Sequence, residues 1–300
     1  MRIFVTGATG WIGAPVVADL LDAGHDVIGL ARSDESARRL LDAGAQVHRG
    51  SLDDLDALRE GAAAADGVIH LAYEHTGDPQ TSLETEQQVL KTLGESLTDT
   101  GRPLVVASGL AGLPPGKIAL ESDTPDPDLP GGQRSFAANK TLDLAERGVR
   151  TTVVRLPPTV HGEGDRGFVT MLIDLARTRG VSGYIDAGTN HWPAVHRLDA
   201  ARLFRLAVEQ APAGTVLHAI AETGITTRDI AETIGHGLDI PVQHLASDAA
   251  EEHFGRLALI FGYDVQASSN HTRQLTGWQP EHPDLLNDLQ QGHYFTPASP

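Results

Sequence analysis

The sequence predicts an α/β fold, a doubly wound parallel sheet carrying a smaller C-terminal lobe. Three observations predict it. Short apolar runs alternate with segments of helical periodicity through the first 156 residues, the pattern of parallel strands joined by crossover helices. A glycine-rich turn joins the first apolar run to the first helical segment. After Pro157 the alternation becomes less regular, which marks the second unit.

Taken in order, residues 2–6 form an apolar run closed by Gly7 and read as a buried strand. A helix is expected over 11–23, stopped by Gly24, then a strand over 27–31. Helix 33–43 is closed by Gly44, and strand 46–49, helix 53–60, strand 68–72, helix 83–98 and strand 104–108 follow. Residues 111–133 are rich in proline and glycine, so they are expected to be a long irregular loop. Helix 135–147 leads into strand 150–156. Beyond it come helix 167–179, a stretch at 181–195, helix 199–210, strand 215–219 and helix 227–237.

The chain has 300 residues, 40% of them hydrophobic, enough for one large domain or two intimate ones. That excludes wholesale disorder. Cysteine is absent, which excludes disulfides and thiolate chemistry and fits a reducing compartment. A net charge of −17 repels phosphate backbones and anionic membranes, so nucleic acid and membrane surfaces are poor partners. Such a charge serves solubility first and would secondarily favour cationic substrates. The chain opens directly on a strand and has no apolar run of about 18 residues, so a cytoplasmic location is expected. A small-molecule substrate and a homodimer are the partners to consider.

The turn reads Thr6-Gly7-Ala8-Thr9-Gly10-Trp11-Ile12-Gly13. Gly7 lets the chain reverse, Gly10 lets backbone N–H groups approach a pyrophosphate, and Gly13 permits close helix–strand packing. The helix N-terminus then faces the phosphates. A strand before and a helix after separate a Rossmann-type cradle from a chance glycine triplet. Thr6, Gly7, Thr9, Gly10, Trp11, Ile12 and Gly13 are therefore expected to hold a dinucleotide.

This turn resembles the TGxxGxxG fingerprint of the short-chain dehydrogenase/reductase superfamily, in its extended branch. That branch includes nucleotide-sugar epimerases, dihydroflavonol reductases and 3β-hydroxysteroid dehydrogenases. Val68-Ile-His-Leu-Ala72 is similar to the strand flanking the adenine side. Val154-Arg-Leu-Pro-Pro-Thr-Val-His-Gly162 resembles the element beside the nicotinamide. Ala194-Val-His-Arg-Leu-Asp-Ala200 resembles the "HVxD" segment, and Leu275-Thr-Gly-Trp-Gln-Pro280 the closing "LGWxP". The resemblance implies a Rossmann domain over 1–156 plus about 194–220, and a substrate lobe over 157–193 and 221–300. It also implies that Leu71, Ala72, Ser108 and Pro157 border the cofactor.

The residue ending the second strand meets the adenosine ribose in this fold; NAD enzymes place an acid there, NADP enzymes cations and hydroxyls. Here the chain reads Leu30-Ala-Arg32-Ser33, with Arg38 and Arg39 on the next helix. Arg32, Ser33 and Arg38 favour NADP(H), with Asp34 as a counterweight. Ser51 and Leu52 occupy the position where the resembled branch often carries an Asp facing the adenine.

The branch usually reduces a carbonyl with a Tyr-x-x-x-Lys pair and a Ser, the Tyr giving its proton to the developing alkoxide. That pair is missing. In one register Phe136 and Lys140 occupy it; in the other Pro130 and Arg134 do, with Arg134 21 residues before Arg155. The second agrees better with the spacing implied by the resemblance. Ser108, ending the fifth strand, should lie near the nicotinamide. Replacement donors are Tyr73, His75, His161 and Tyr184. Alternatively, an imine substrate arriving protonated would need no strong acid, and the missing tyrosine favours this imine reading. The sequence thus points to NADP-dependent reduction of a C=O or C=N bond in a small, cyclic or aromatic molecule. The rivals are a dinucleotide-recycling epimerase or isomerase and a non-catalytic dinucleotide sensor. Trp192, Phe254, Leu257, Phe261 and Tyr263 either wall the substrate pocket or form lobe core. No metal site is expected: His191 and His196 belong to no HExxH or comparable pattern, and no G-x-S-x-G motif occurs.

Overall fold

The computed structural model describes residues 1–74, 78–255 and 257–296. Its first half alternates strand and helix: β1 (Arg2–Thr6), α1 (Gly13–Asp22), β2 (Asp26–Ala31), α2 (Asp34–Asp42), β3 (Gln46–Arg49), α3 (Leu55–Ala63), β4 (Gly67–His70), α4 (Pro79–Leu97) and β5 (Pro103–Gly109). A short strand, β6 (Ile118–Ala119), interrupts the long connection to α5 (Gly132–Lys140), a 3-10 turn (Thr141–Arg147) and β7 (Arg150–Leu156). The lobe begins with β8 (Thr159–His161), α6 (Phe168–Arg179), β9 (Ser182–Ile185) and β10 (His191–His196). Next come α7 (Arg197–Gln210), β11 (Thr215–His218), β12 (Glu222–Thr226), α8 (Thr227–Leu238), β13 (Val242–Leu245), α9 (Ser247–Phe254) and α10 (Leu257–Phe261). β14 (Gln266–Ala267), α11 (Asn270–Thr276) and α12 (Leu285–Gln290) complete the chain.

Seven parallel strands form the central sheet in the order β3-β2-β1-β4-β5-β7-β11. The order reverses between β1 and β4, which opens a crevice at the C-terminal strand ends where ligands bind in open α/β sheets. Alternate strand residues feed two separate cores. Ile3, Val5, Val105 and Val154 pack towards α1 and α7. Phe4, Val68, Val106 and Val153 pack towards α3, α4 and α5. A third core belongs to the lobe, where β8, β10 and β12 form a small sheet.

Several boundaries differ from the sequence expectations. Helix 83–98 begins four residues earlier at Pro79, because Asp78 caps Thr81 N–H and proline suits the first helical position. The expected helix 135–147 starts at Gly132 and tightens to 3-10 geometry from Thr141. The loop 111–133 holds β6, which pairs in parallel with β14 from the lobe. No helix among the described residues is long and apolar enough to cross a membrane.

Candidate active site

The glycine turn has the shape a diphosphate requires. Gly7 has φ +68°, and a Cβ there would lie 2.7 Å from Ala72 N. A Cβ on Gly13 would strike Gly7 O at 1.9 Å. On Gly10 it would meet Gly7 O alone, at 3.1 Å, so the space beyond that glycine is open. Helix α1 has no side-chain cap among the described residues and no acid in its first turn. Ala14 and Val16 N–H bond to the carbonyls of Gly10 and Ile12 and Pro15 has none, so among the described residues the N–H groups of Trp11, Ile12 and Gly13 are the ones left for an external anion. Two expected contacts serve the fold instead. Thr6 is fully buried and spends its hydroxyl on His70. The Trp11 indole donates to Val160 O at 2.8 Å and lies under the Arg197 guanidinium at 4.0 Å, tying the turn to β8. Thr9 and Ile12 are half-buried beside the turn.

At the adenosine corner, Arg32 and Arg38 are exposed at the end of β2 and on α2. Ser33 caps α2 through Ser36 N–H, so its hydroxyl is already committed. Asp34 pairs with Arg49 at 2.5 Å, both side chains exposed. Ser51 is half-buried, and Leu52 packs against the core under α3. Leu71 and Ala72 border the turn, and Pro157 is buried just past β7.

On the α4/α5 face, the C-terminal strand ends carry a row of buried polar side chains. Thr6 stands opposite His70, Ser108 opposite Arg155, and Arg155 opposite His218. Thr6 Oγ1 lies 2.7 Å from His70 Nδ1, and His70 Nε2 lies 3.0 Å from Glu86 Oε2 on α4. Glu86 Oε1 approaches Arg134 Nε on α5 to 4.0 Å. The Arg134 guanidinium in turn lies 3.7 Å from the centre of the Tyr73 ring, just past β4. Burial lowers the Arg134 pKa, opposed by the Glu86 carboxylate. Further along, Arg155 donates to His218 Nε2, Asp123 O and Asn139 Oδ1. Burial brings Arg155 down to about 10 and, with the adjacent guanidinium, His218 down to about 4. The Ser108 hydroxyl is buried and without a partner among the described residues.

The structure thus brings Tyr73, Arg134 and Ser108 to the strand ends that open onto the crevice. Lys140 does not join them; it is exposed at the end of α5, over the Phe136 ring. His161 is corrected as well. It is completely buried, its Nδ1 held 2.8 Å from Asp288, and has no route to a substrate. His75 lies outside the described residues. Tyr184 sits in the lobe against Arg228. Trp192, Phe254 and Phe261 pack within the lobe core, Trp192 edge-on to Phe261 and Phe254 tilted against it, and Phe254 and Phe261 border a small internal space there.

Sequence reasoning missed Glu86 and His70. A glutamate within a helix reads as solvent-facing, and the signal was the histidine inside the apolar strand β4. It also missed a cleft of about 630 Å³ beside the edge strand β11, bounded by Glu121, Asp123, Asn139, Arg155 and Thr215. Against the expectation of no metal cluster, His196, Asp199 and His282 bring potential ligand atoms within 4.8 Å of one another. The cluster is already tied together by the fold: His196 Nδ1 accepts from Leu198 N–H, Asp199 accepts from the N–H groups of Glu281 and His282, and His282 Nδ1 lies 3.1 Å from Asp199.

The family profile described as "NAD dependent epimerase/dehydratase family" matches residues 3–219. An uncharacterized protein of Schizosaccharomyces pombe is 48% identical over 298 residues, covering 98% of this chain and all of that one. A 4-hydroxy-2-methyl-3-oxo-4-farnesyl-3,4-dihydroquinoline-1-oxide ketoreductase of Stigmatella aurantiaca is 31% identical over 226 residues, covering 72% of this chain and 67% of that one. Among solved structures, a dTDP-glucose 4,6-dehydratase from Streptomyces venezuelae with NAD bound superposes with a TM-score of 0.78 at 19% identity, covering 98% of this chain and 97% of that one.

Proposed function

The chain belongs to the NAD dependent epimerase/dehydratase family, and from that premise we propose that it is an NADPH-dependent reductase of a C=O or C=N bond in a small substrate. The observation that carries the reading is the stacking of Arg134 on Tyr73 at the crevice. Reducing a ketone requires an acid for the developing alkoxide. Tyr73 supplies a phenol there, with the Arg134 guanidinium 3.7 Å from its ring centre. Two residues from different elements thereby take the roles that a Tyr-x-x-x-Lys pair fills within one helix.

When bound at the glycine turn, the dihydronicotinamide would supply a hydride to the substrate carbon. Arg32 and Arg38 support the phosphorylated form, because Asp34 is already paired with Arg49. The Stigmatella ketoreductase supports reduction. A protonated imine would need positioning alone, and would dispense with the phenol proton.

The test is purified protein with NADPH or NADH against panels of ketones and cyclic imines. Tyr73→Phe should lower ketone turnover by about 10²-fold or more and spare imines. Inversion of a substrate stereocentre by copurified dinucleotide, without net oxidation, would instead make the protein an epimerase. Tight nucleotide binding with no turnover on either panel would make it a sensor.

A further inference from the structure

We infer that Arg134 is a carboxylate clamp, and that the substrate is a 2-oxo acid or its imine. Its carboxylate would lie on the guanidinium edge and its C=O or C=N over Tyr73. The inference rests on the reductase reading and narrows its substrate class.

A guanidinium lying flat on an aromatic ring keeps its N–H fork free in the plane, the geometry that grips a carboxylate through two parallel hydrogen bonds. Among the described residues, none accepts a hydrogen bond from Arg134. The nearest carboxylate oxygen, Glu86 Oε1, stops 4.0 Å from Nε. Both of those atoms are buried and unpartnered. Yet the Arg134 side chain as a whole is 27% exposed, and its terminal nitrogens are not among the buried unpartnered atoms, so the fork is open to a ligand. A largely desolvated cation whose hydrogen-bonding edge is uncommitted is prepared for an anion.

A Cβ on Gly109, at the end of β5, would meet nothing nearer than Ala111 N at 3.9 Å, so that strand end is open. Ser135, the next residue, donates to Gly109 O and ties the start of α5 to that strand end. In a 2-oxo acid the reacting carbon is bonded directly to the carboxylate carbon. A carboxylate on the fork therefore sets the carbonyl oxygen beside the phenol. Carbon 2 receives the hydride and its oxygen receives the Tyr73 proton, giving a 2-hydroxy acid. Tyr73 recovers its proton from solvent, and the two electrons come from the dihydronicotinamide. A protonated imine needs the hydride alone, its nitrogen already carrying the proton, and gives the 2-amino acid.

The net charge of −17 argues for a cationic substrate, but that field is long-ranged. It is screened beyond about 8 Å at physiological ionic strength. The charge in direct contact with the ligand decides, and that charge is Arg134.

The test compares matched pairs: pyruvate with acetone, and phenylpyruvate with phenylacetone, in which a methyl replaces the carboxylate. Each is titrated calorimetrically into protein saturated with NADP+. The oxo acids should bind at least about tenfold more tightly than their partners, a difference of about 1.4 kcal/mol. Arg134→Gln should erase that preference and Arg134→Lys should keep part of it. NADPH affinity should move less than about twofold in both. Equal binding within each wild-type pair overturns the clamp, as does no binding by either oxo acid. So does an Arg134→Gln variant that loses NADPH affinity while keeping the preference. Carboxylate-dependent binding without turnover leaves the clamp standing and removes the reductase reading. Turnover of the neutral ketones without discrimination does the reverse.

Discussion

Glu86 Oε1 and Arg134 Nε face each other across 4.0 Å, both buried and neither hydrogen-bonded. The other Glu86 oxygen is held by His70, and His70 by Thr6, so the carboxylate is fixed from the strand side. Glu86 is a positioning residue: it compensates the charge of Arg134 without occupying its fork. Breaking a buried pair leaves an uncompensated charge. Glu86→Gln should therefore lower stability by about 3 kcal/mol. Glu86→Gln with Arg134→Gln should cost less than the two singles summed, by about 1 kcal/mol or more. Urea unfolding of the four proteins measures this, and strict additivity would mean that the two side chains do not interact.

The glycines of the turn should separate folding from binding. Gly13→Ala sets a methyl 1.9 Å from Gly7 O, a clash that backbone must absorb, so the melting temperature should fall sharply. Gly10→Ala meets Gly7 O alone, at 3.1 Å, a tight contact that a backbone shift of a few tenths of an ångström relieves. Its stability should stay close to wild type while NADPH binding weakens about tenfold or more, about 1.4 kcal/mol. Thermal melts beside fluorescence titrations would show it. Unchanged affinity in a folded Gly10→Ala protein would remove the phosphates from this turn.

The contrast between these two sites shows what was legible in the sequence. The turn is local: strand, glycines and helix follow one another, and each glycine has a backbone reason. The parallel sheet was legible for a related cause, since its buried strands are short apolar runs between helical periods. The Glu86–Arg134–Tyr73 grouping was not. Its members come from α4, α5 and the end of β4, and tertiary packing alone brings them together. Register misled for Lys140 because the four-residue spacing to Phe136 imitates a motif. The helix itself turns Arg134, six residues earlier, towards the crevice. For Trp192, Phe254 and Phe261 the sequence left pocket wall and lobe core open, because an aromatic cluster reads the same whether it faces a ligand or a core.

Arg32 gives a direct check on nucleotide choice. It is exposed at the end of β2 with no ion pair among the described residues, while Asp34 is paired with Arg49. A charge-assisted contact to a 2′-phosphate contributes about 1.5–3 kcal/mol. Arg32→Ala should thus weaken NADPH about ten- to a hundredfold and leave NADH nearly unchanged. The NADPH constant should also depend more steeply on salt in wild type than in the variant. Equal loss for both nucleotides would show that Arg32 does not read the phosphate.

His196 should make the protein acid-sensitive in a defined window. Burial, with His161 and His282 close by, lowers its pKa from 6.5 to about 4. Its Nδ1 accepts from Leu198 N–H and caps α7, which a protonated ring cannot do. Below pH 6.5 the unfolded chain takes up a proton that the folded chain refuses. The stability tied to this group is therefore complete above about 6.5, declines as pH falls towards 4, and is constant below. Over that span it amounts to about 3 kcal/mol. His218, lowered to about 4 against Arg155, adds a parallel loss. His196→Asn keeps a good cap without a titrating ring. Urea midpoints between pH 7 and 4 should then fall less steeply than in wild type, by about 1.4 kcal/mol per pH unit. Parallel slopes would show that His196 titrates normally in the folded protein and that its neutral form is not what holds the start of α7.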